Sequence, residues 1–256
     1  MVTTAARARD VLVPVVLGIL LVVAWDRGVV LFKVRPMMLP RPGAVLDVIT
    51  ANFPLLREHA WSTIRDAGLA LLLSATSGVA IAFVLSLGAR VRAALMPNLV
   101  LIELVPKIAL APLFVLWLGT GMESRLAYAF FLSIFPIVVA TTAGLVNTDL
   151  GLLRLCQSLR ASAWQTFFRV RLPYSLPMVF GGLKIGSTMA VIGVVVGEFI
   201  TGSRGLGYII MFASSQMEGA LMVGAVLLLA LLGSSLYVFV VLLERLVSLR
   251  YGRPAG

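Results

Sequence analysis

An all-α polytopic membrane protein is the fold class this sequence predicts, and three observations carry it. Of 256 residues, 60% are hydrophobic and only 12% charged, about half the charge of an ordinary soluble domain. Mean hydropathy is +1.04. Three windows, 67–89, 126–148 and 219–243, hold no charged residue over 23, 23 and 25 positions, and each can cross a hydrocarbon core about 30 Å thick. Soluble, disordered and fibrous classes are excluded. One domain over residues 1–256 is expected, with no linker, low-complexity tract or repeat of fixed period.

The first span is expected at 11–25, ending at Asp26 and Arg27. Arg7 and Arg9 precede it, but no small-x-small cleavage site follows, so a retained helix is expected rather than a signal peptide. Segment 26–61 contains Pro36, Pro40, Pro42 and Pro54 and reads as an outer connection with a short surface helix between extended pieces. The second span is 67–89. A tight turn leads to the third, 94–118, which contains Glu103 and Lys107, and another leads to the fourth, 126–148. The fifth, 178–200, contains Lys184 and Glu198; the sixth is 219–243. Six spans result.

With the N-terminus inside, eleven Lys and Arg face the cytoplasm: Arg7, Arg9, Arg90, Arg92, Arg154, Arg160, Arg169, Arg171, Arg245, Arg250 and Arg253. Seven lie outside (Arg27, Lys33, Arg35, Arg41, Arg57, Arg125, Arg204), and Arg65, Lys107 and Lys184 lie within or at the ends of spans. This bias places both termini inside. The formal charge of +10 fits loops facing anionic lipid rather than nucleic acid. A lone Cys156 and a lone His59 exclude an internal disulfide and any Cys-rich or multi-histidine metal site. No cofactor is expected.

Segment 149–177, between the fourth and fifth spans, is too long for a turn. Its apolar residues fall at Leu152, Leu155, Leu159, Ala163, Phe167 and Val170, and its polar ones at Arg154, Ser158, Ser162, Gln165 and Arg169. Two interleaved stripes at helical period predict an amphipathic helix, broken near Ala161 and Ser162. Leu172–Pro173 is expected to end it, with Pro177 beside the start of the fifth span. Periodicity alone allows either a helix resting in headgroups or a docking element for a soluble partner.

Residues 154–177, with LRASAWQTFFRVRLPYSLP at their heart, resemble the EAA loop of bacterial ABC-importer permeases. The likeness extends along most of the chain. It includes Leu39-Pro40-Arg41-Pro42, Ser62-Thr63-Ile64-Arg65, the run from Val105 and Pro106 through Gly119, Gly181-Gly182-Leu183-Lys184, Val196-Gly197-Glu198 and Gly205-Leu206-Gly207-Tyr208. Those blocks are most similar to the nitrate/sulfonate/taurine branch, which includes importers of a thiamine pyrimidine precursor. Arg154-Leu155-Cys156 stands where the motif has Glu-Ala-Ala, and Arg160 where it has glycine. The resemblance implies a type I importer fold in a bacterial inner membrane. It also implies a coupling helix docking on an ATP-binding subunit through Arg154, Ser158, Arg160, Ala161, Ser162, Phe167, Phe168, Leu172 and Pro173. Two such subunits, a second permease copy and an extracytoplasmic solute-binding protein are the implied partners.

Residues 181–188, GGLKIGST, echo a P-loop, but Ser187 stands where the phosphate lysine must be, and no strand precedes it. Any ATPase must therefore be another chain. Gly182, Gly186, Gly193 and Gly197 put small residues on one face of the fifth span, suited to close helix approach either within the chain or across a dimer. The family resemblance favours a central helix near a twofold axis.

Glu103 and Lys107 have the spacing of an i,i+4 helical ion pair, readable as mutual neutralisation or as solute contact. Lys184 is placed to snorkel, and Glu198 to act as a hinge or gate contact. With Pro106 and its freed carbonyl, these four form the expected translocation path. The uncharged second, fourth and sixth spans are expected to face lipid.

The resulting expectation is the permease subunit of an ATP-driven importer of a small solute, a sulfonate-, nitrate- or taurine-like anion or a precursor pyrimidine. An ion-gradient transporter is the alternative, although internal repeats and paired broken helices are not evident. An intramembrane enzyme would need a nucleophile–base or metal constellation, which His59 alone cannot supply.

Overall fold

The structure, a computed structural model, describes residues 4–250, leaving out the side chains of residues 4–11 and 14. The side chains of Arg7 and Arg9, and all of Arg253, lie outside this description. Helix α1 spans Thr4–Leu31, α2 Pro42–Ala51, α3 Phe53–Ser86, α4 Ala89–Leu104, α5 Lys107–Leu118 and α6 Met122–Val146. Then come α7 Leu150–Ser158, α8 Ala163–Thr166, a π-helical turn Phe167–Arg171, α9 Leu172–Thr201, α10 Leu206–Ser215 and α11 Gly219–Arg250.

Helices α3, α6 and α9 form the core. In lipid, with little hydrophobic drive between helices, association depends on close packing and small residues. The glycine stripe of α9 meets α6 of the same chain. A Cβ at Gly182 would sit 2.9 Å from the Ala140 Cβ, one at Gly186 2.8 Å from Ile137 Cδ1, and one at Gly193 2.5 Å from the Ala129 Cα. At Gly197 it would meet the Arg125 backbone at 3.2 Å. This stripe forms an intrachain seam between α9 and α6, one of the two packing roles that its spacing allows. Ser74 and Ser133 add an interhelical hydroxyl pair at 2.6 Å between α3 and α6.

Among the described residues, four helical segments are long and apolar enough to cross a membrane: Phe53–Ser86, Met122–Val146, Ala163–Thr201 and Gly219–Arg250. Counting α4 and α5 as one broken span makes five, and α1, 28 residues long, is the candidate sixth. The second span starts well before position 67, because α3 continues outward to Phe53. Lipid exposure also differs from expectation. In α6, 56% of the span window is buried, against 11% in α11, so the fourth span is core while the sixth is peripheral. An uncharged helix suits a protein interior as well as it suits lipid.

The third span is two helices. It breaks at Val105–Pro106, where α4 and α5 meet at 91°, because Val105 is extended (ψ 134°) as the residue before a proline prefers. Glu103 and Lys107 therefore sit on different helices, and no ion pair joins them among the described residues. The expected helical pair is corrected.

Leu172–Pro173 does not end the amphipathic segment, and Pro177 lies inside α9. The chain runs helically through Ala163–Thr201, 39 residues. Proline clashes with the carbonyl four residues back in a regular helix; the wider π turn ahead of Pro173, in which Leu172 N donates to Phe167 O, relieves that geometry.

Candidate functional site

Segment 149–171 projects from one end of the bundle. Asp149 caps α7, its carboxylate accepting from Leu152 N at 3.0 Å. The break expected near Ala161–Ser162 is present. Arg160 takes a left-handed conformation, φ 51°, which supplies the turn that glycine makes easily. Ser162 then starts α8 with a reciprocal cap: its Oγ accepts from Gln165 N at 3.2 Å, and its N donates to Gln165 Oε1 at 2.8 Å. This Ser-x-x-Gln capping box was readable in the sequence and was missed there.

Aromatic residues set the surface of the segment. Phe167 turns inward and meets Phe83 at the end of α3 edge-on, 4.7 Å between centroids. Trp164 and Phe168 stack outward at 5.0 Å and remain 65% and 51% exposed. Leu150, Leu155 and Leu159 continue the exposed apolar surface. Arg154, Ser158, Arg160 and Ser162 are exposed around it, while Ala161, Leu172 and Pro173 are half-buried. Behind the segment, a cavity of about 520 Å³ opens between α3 and α7, lined by Phe83, Ser86, Leu153, Gln157, Phe167 and Arg171 among others.

The expected path residues are not brought together. Lys107 opens α5 with its Nζ 5.0 Å from the centre of the Phe135 ring, a cation–π distance, and its carbonyl accepts from the Tyr128 hydroxyl at 3.2 Å. Glu103 and Pro106 are exposed at the break. Lys184, expected to snorkel, pairs instead with Glu244 of α11 at 2.6 Å. Glu198 is fully buried at the opposite end of the bundle.

Around Glu198 lies the polar centre that sequence reasoning missed. Asp66, fully buried on α3, pairs with Arg125 of α6 at 3.1 Å and with Arg65 at 2.9 Å. Arg125, expected in an outer loop, is only 4% exposed. Buried charge in a membrane is tolerated when paired inside the bundle. The available signal was Asp66 standing directly before a charge-free run of 23 residues. Beside this cluster, Glu198 accepts from Thr63 Oγ1 and from Gly207 N, each at 2.8 Å.

The family described as "Binding-protein-dependent transport system inner membrane component" matches residues 71–252. A probable ABC transporter permease protein of Haemophilus influenzae is 35% identical, over 87% of this chain and 90% of its own. A formylaminopyrimidine transport permease of Halalkalibacterium halodurans is 33% identical, over 89% and 91%. Permeases named for taurine, aliphatic sulfonates and nitrate also match. A chain from inward-facing structures of the MetNI methionine ABC transporter superposes at a TM-score of 0.67, covering 77% of this chain and 98% of that one. At 18% identity that likeness speaks for the fold.

Proposed function

Because the chain belongs to the family of binding-protein-dependent transport system inner membrane components, and is an ABC transporter permease, we propose the following assembly and mechanism. Two copies form the translocation path in a bacterial inner membrane, each with six spans including α1 and with both termini in the cytoplasm. Two copies of a separate ATP-binding subunit dock on segment 149–171. A solute-binding protein delivers the solute from outside. ATP-driven closure of the ATPases moves the coupling segments and opens the path outward, and hydrolysis resets it inward. Glu103, Pro106 and Lys107 at the α4–α5 break are the proposed path residues of the third span. The solute is a small sulfonate-like anion or a precursor pyrimidine, in line with the relatives' names.

One observation carries the docking role: a capped, sharply turned segment that exposes stacked Trp164 and Phe168 beyond the bundle. A headgroup-resting helix would put such aromatics in lipid, and it would tolerate bulk at Ala161. A helix tip that fits a partner's cleft would not. With Cys156→Ser as background, a cysteine at Ser162 is expected to crosslink to the coexpressed cognate ATPase. Ala161→Trp is expected to keep the chain folded and inserted while separating ATP hydrolysis from uptake. Absence of the crosslink together with normal uptake by Ala161→Trp would overturn the docking role. The ion-gradient alternative is not favoured by the family or the relatives.

A further inference from the structure

The first three amides at the start of α10 are each held by a side chain from another helix. Gly205 N donates to His59 Nδ1 at 3.0 Å, Leu206 N to Thr63 Oγ1 at 2.9 Å, and Gly207 N to Glu198 Oε2 at 2.8 Å. The Thr63 hydroxyl also donates to Glu198 Oε1 at 2.8 Å, which ties two of the three anchors to each other. His59 and Thr63 are four residues apart on α3 and thus share a face; Glu198 comes from α9. The unpaired amides of a helix start are ordinarily satisfied by a local cap, yet here Gly205, the N-terminal flanking residue, has no side chain to do so.

The covalent link into α10 is built to bend. Gly202 and Gly205 both have positive φ, 58° and 101°, and Ser203 and Arg204 between them are exposed. A Cβ at Gly205 would overlap the Glu198 carboxylate, and one at Gly207 would lie 2.9 Å from Glu198 Oε2. Both glycines let the turn close over the carboxylate. At ten residues, α10 is too short to span. It buries Leu206, Ile209 and Ala213 and presents Met211 and Phe212 outward, at the end of the bundle remote from segment 149–171.

We propose that His59, Thr63 and Glu198 are positioning residues that make α10 a gate element, carried rigidly by α3 and α9 during transport. A turn as glycine-rich as 202–205 would otherwise let α10 move by itself. The transport part of this inference rests on the permease reading given above; the mooring of α10 does not.

The test uses the full permease, coexpressed with its ATPase and supplied with its binding protein, in the Cys156→Ser background. Ala213→Cys reports on the buried face of α10 and Ala190→Cys, on α9, is the control; both positions are fully buried. Thr63→Val and Glu198→Gln are expected to speed N-ethylmaleimide labelling at position 213 at least tenfold and to leave position 190 unchanged. Uptake should fall at least tenfold with ATP hydrolysis retained, and Thr63→Ser, which keeps the hydroxyl, should preserve both protection and uptake. Unchanged labelling at 213, or equal gains at 213 and 190, would overturn the mooring. Faster labelling at 213 with normal uptake would overturn the gate role. If the unmutated complex takes up no solute, the permease reading fails, and the labelling comparison still decides the mooring.

Discussion

One methyl group measures how closely α6 and α9 approach. At Gly193 the added carbon would fall 2.5 Å from the Ala129 Cα, a backbone atom that cannot rotate away; at Gly181, one turn before Lys184, nothing lies within 4 Å. Gly193→Ala is therefore expected to cost about 1–3 kcal/mol by overpacking. Gly181→Ala should be neutral or slightly stabilising, since alanine favours the helix by roughly 0.8–1 kcal/mol over glycine. Thermal melts in one detergent will separate the two, and equal melting temperatures would contradict the seam. The spacing of these glycines was legible in the sequence as a packing face. Its partner was not, because helical period shows that a face is smooth and nothing about what covers it. Asp66 and Arg125 failed to stand out for a related reason: each sits beside other charged or polar residues in the chain, and only the fold removes both from solvent.

Among the elements, segment 149–171 was the most legible. The stripes change register at Ala161–Ser162, and the structure has its break there, between α7 and α8. The end of the segment was misread because proline rules describe regular helices, whereas a π turn precedes Pro173. The third span was misread in the opposite direction: apolar residues on both sides of Val105–Pro106 gave a continuous window, and hydropathy contains no angle. At the break in the segment, Arg160 holds a positive φ of 51°, a conformation that costs a residue with a Cβ roughly 1–2 kcal/mol. Arg160→Gly is expected to keep the turn and raise the melting temperature modestly, with uptake preserved. A collapse of uptake on this change would instead assign the guanidinium a direct role in docking.

For the molecule as a whole, the unequal attachment of its helices matters most. The α3–α6–α9 core is tightly knit, while α11 has only 11% of its span window buried and α4 buries no residue. Lys184 and Glu244, at 2.6 Å with side chains 26% and 16% exposed, provide a polar tie between α9 and α11. Glu244→Gln is expected to destabilise by about 1–3 kcal/mol, because the lysine loses its charged partner in a partly desolvated place. The double change Lys184→Met with Glu244→Gln should recover much of that loss. Additive losses in a double-mutant cycle of melting curves would show that the pair contributes no coupling. The sequence made the fold class legible through sheer apolar content, but the hierarchy of core and periphery depends on which apolar faces meet each other.

The π turn at Phe167–Arg171 has a consequence for phase. It makes Ala163–Thr201 a single rod of 39 residues, about 58 Å end to end at 1.5 Å per residue, with one residue more per turn locally than an α-helix holds. That extra residue is taken up inside the turn, so the helix on either side keeps nearly the phase it would have without it. Removing one residue from the turn would restore α-helical winding and leave Trp164 and the capped tip in nearly the same azimuth relative to the glycine seam, whereas removing one from the regular helix between turn and seam would rotate them by about 100°. Deletion of exposed Arg169 from the turn is expected to preserve crosslinking at Ser162, whereas deletion of exposed Met178, in the regular helix between turn and seam, should abolish it while the chain still inserts. The turn thus works as a slip joint: it admits one extra residue ahead of Pro173 without changing the direction in which the rod presents its tip.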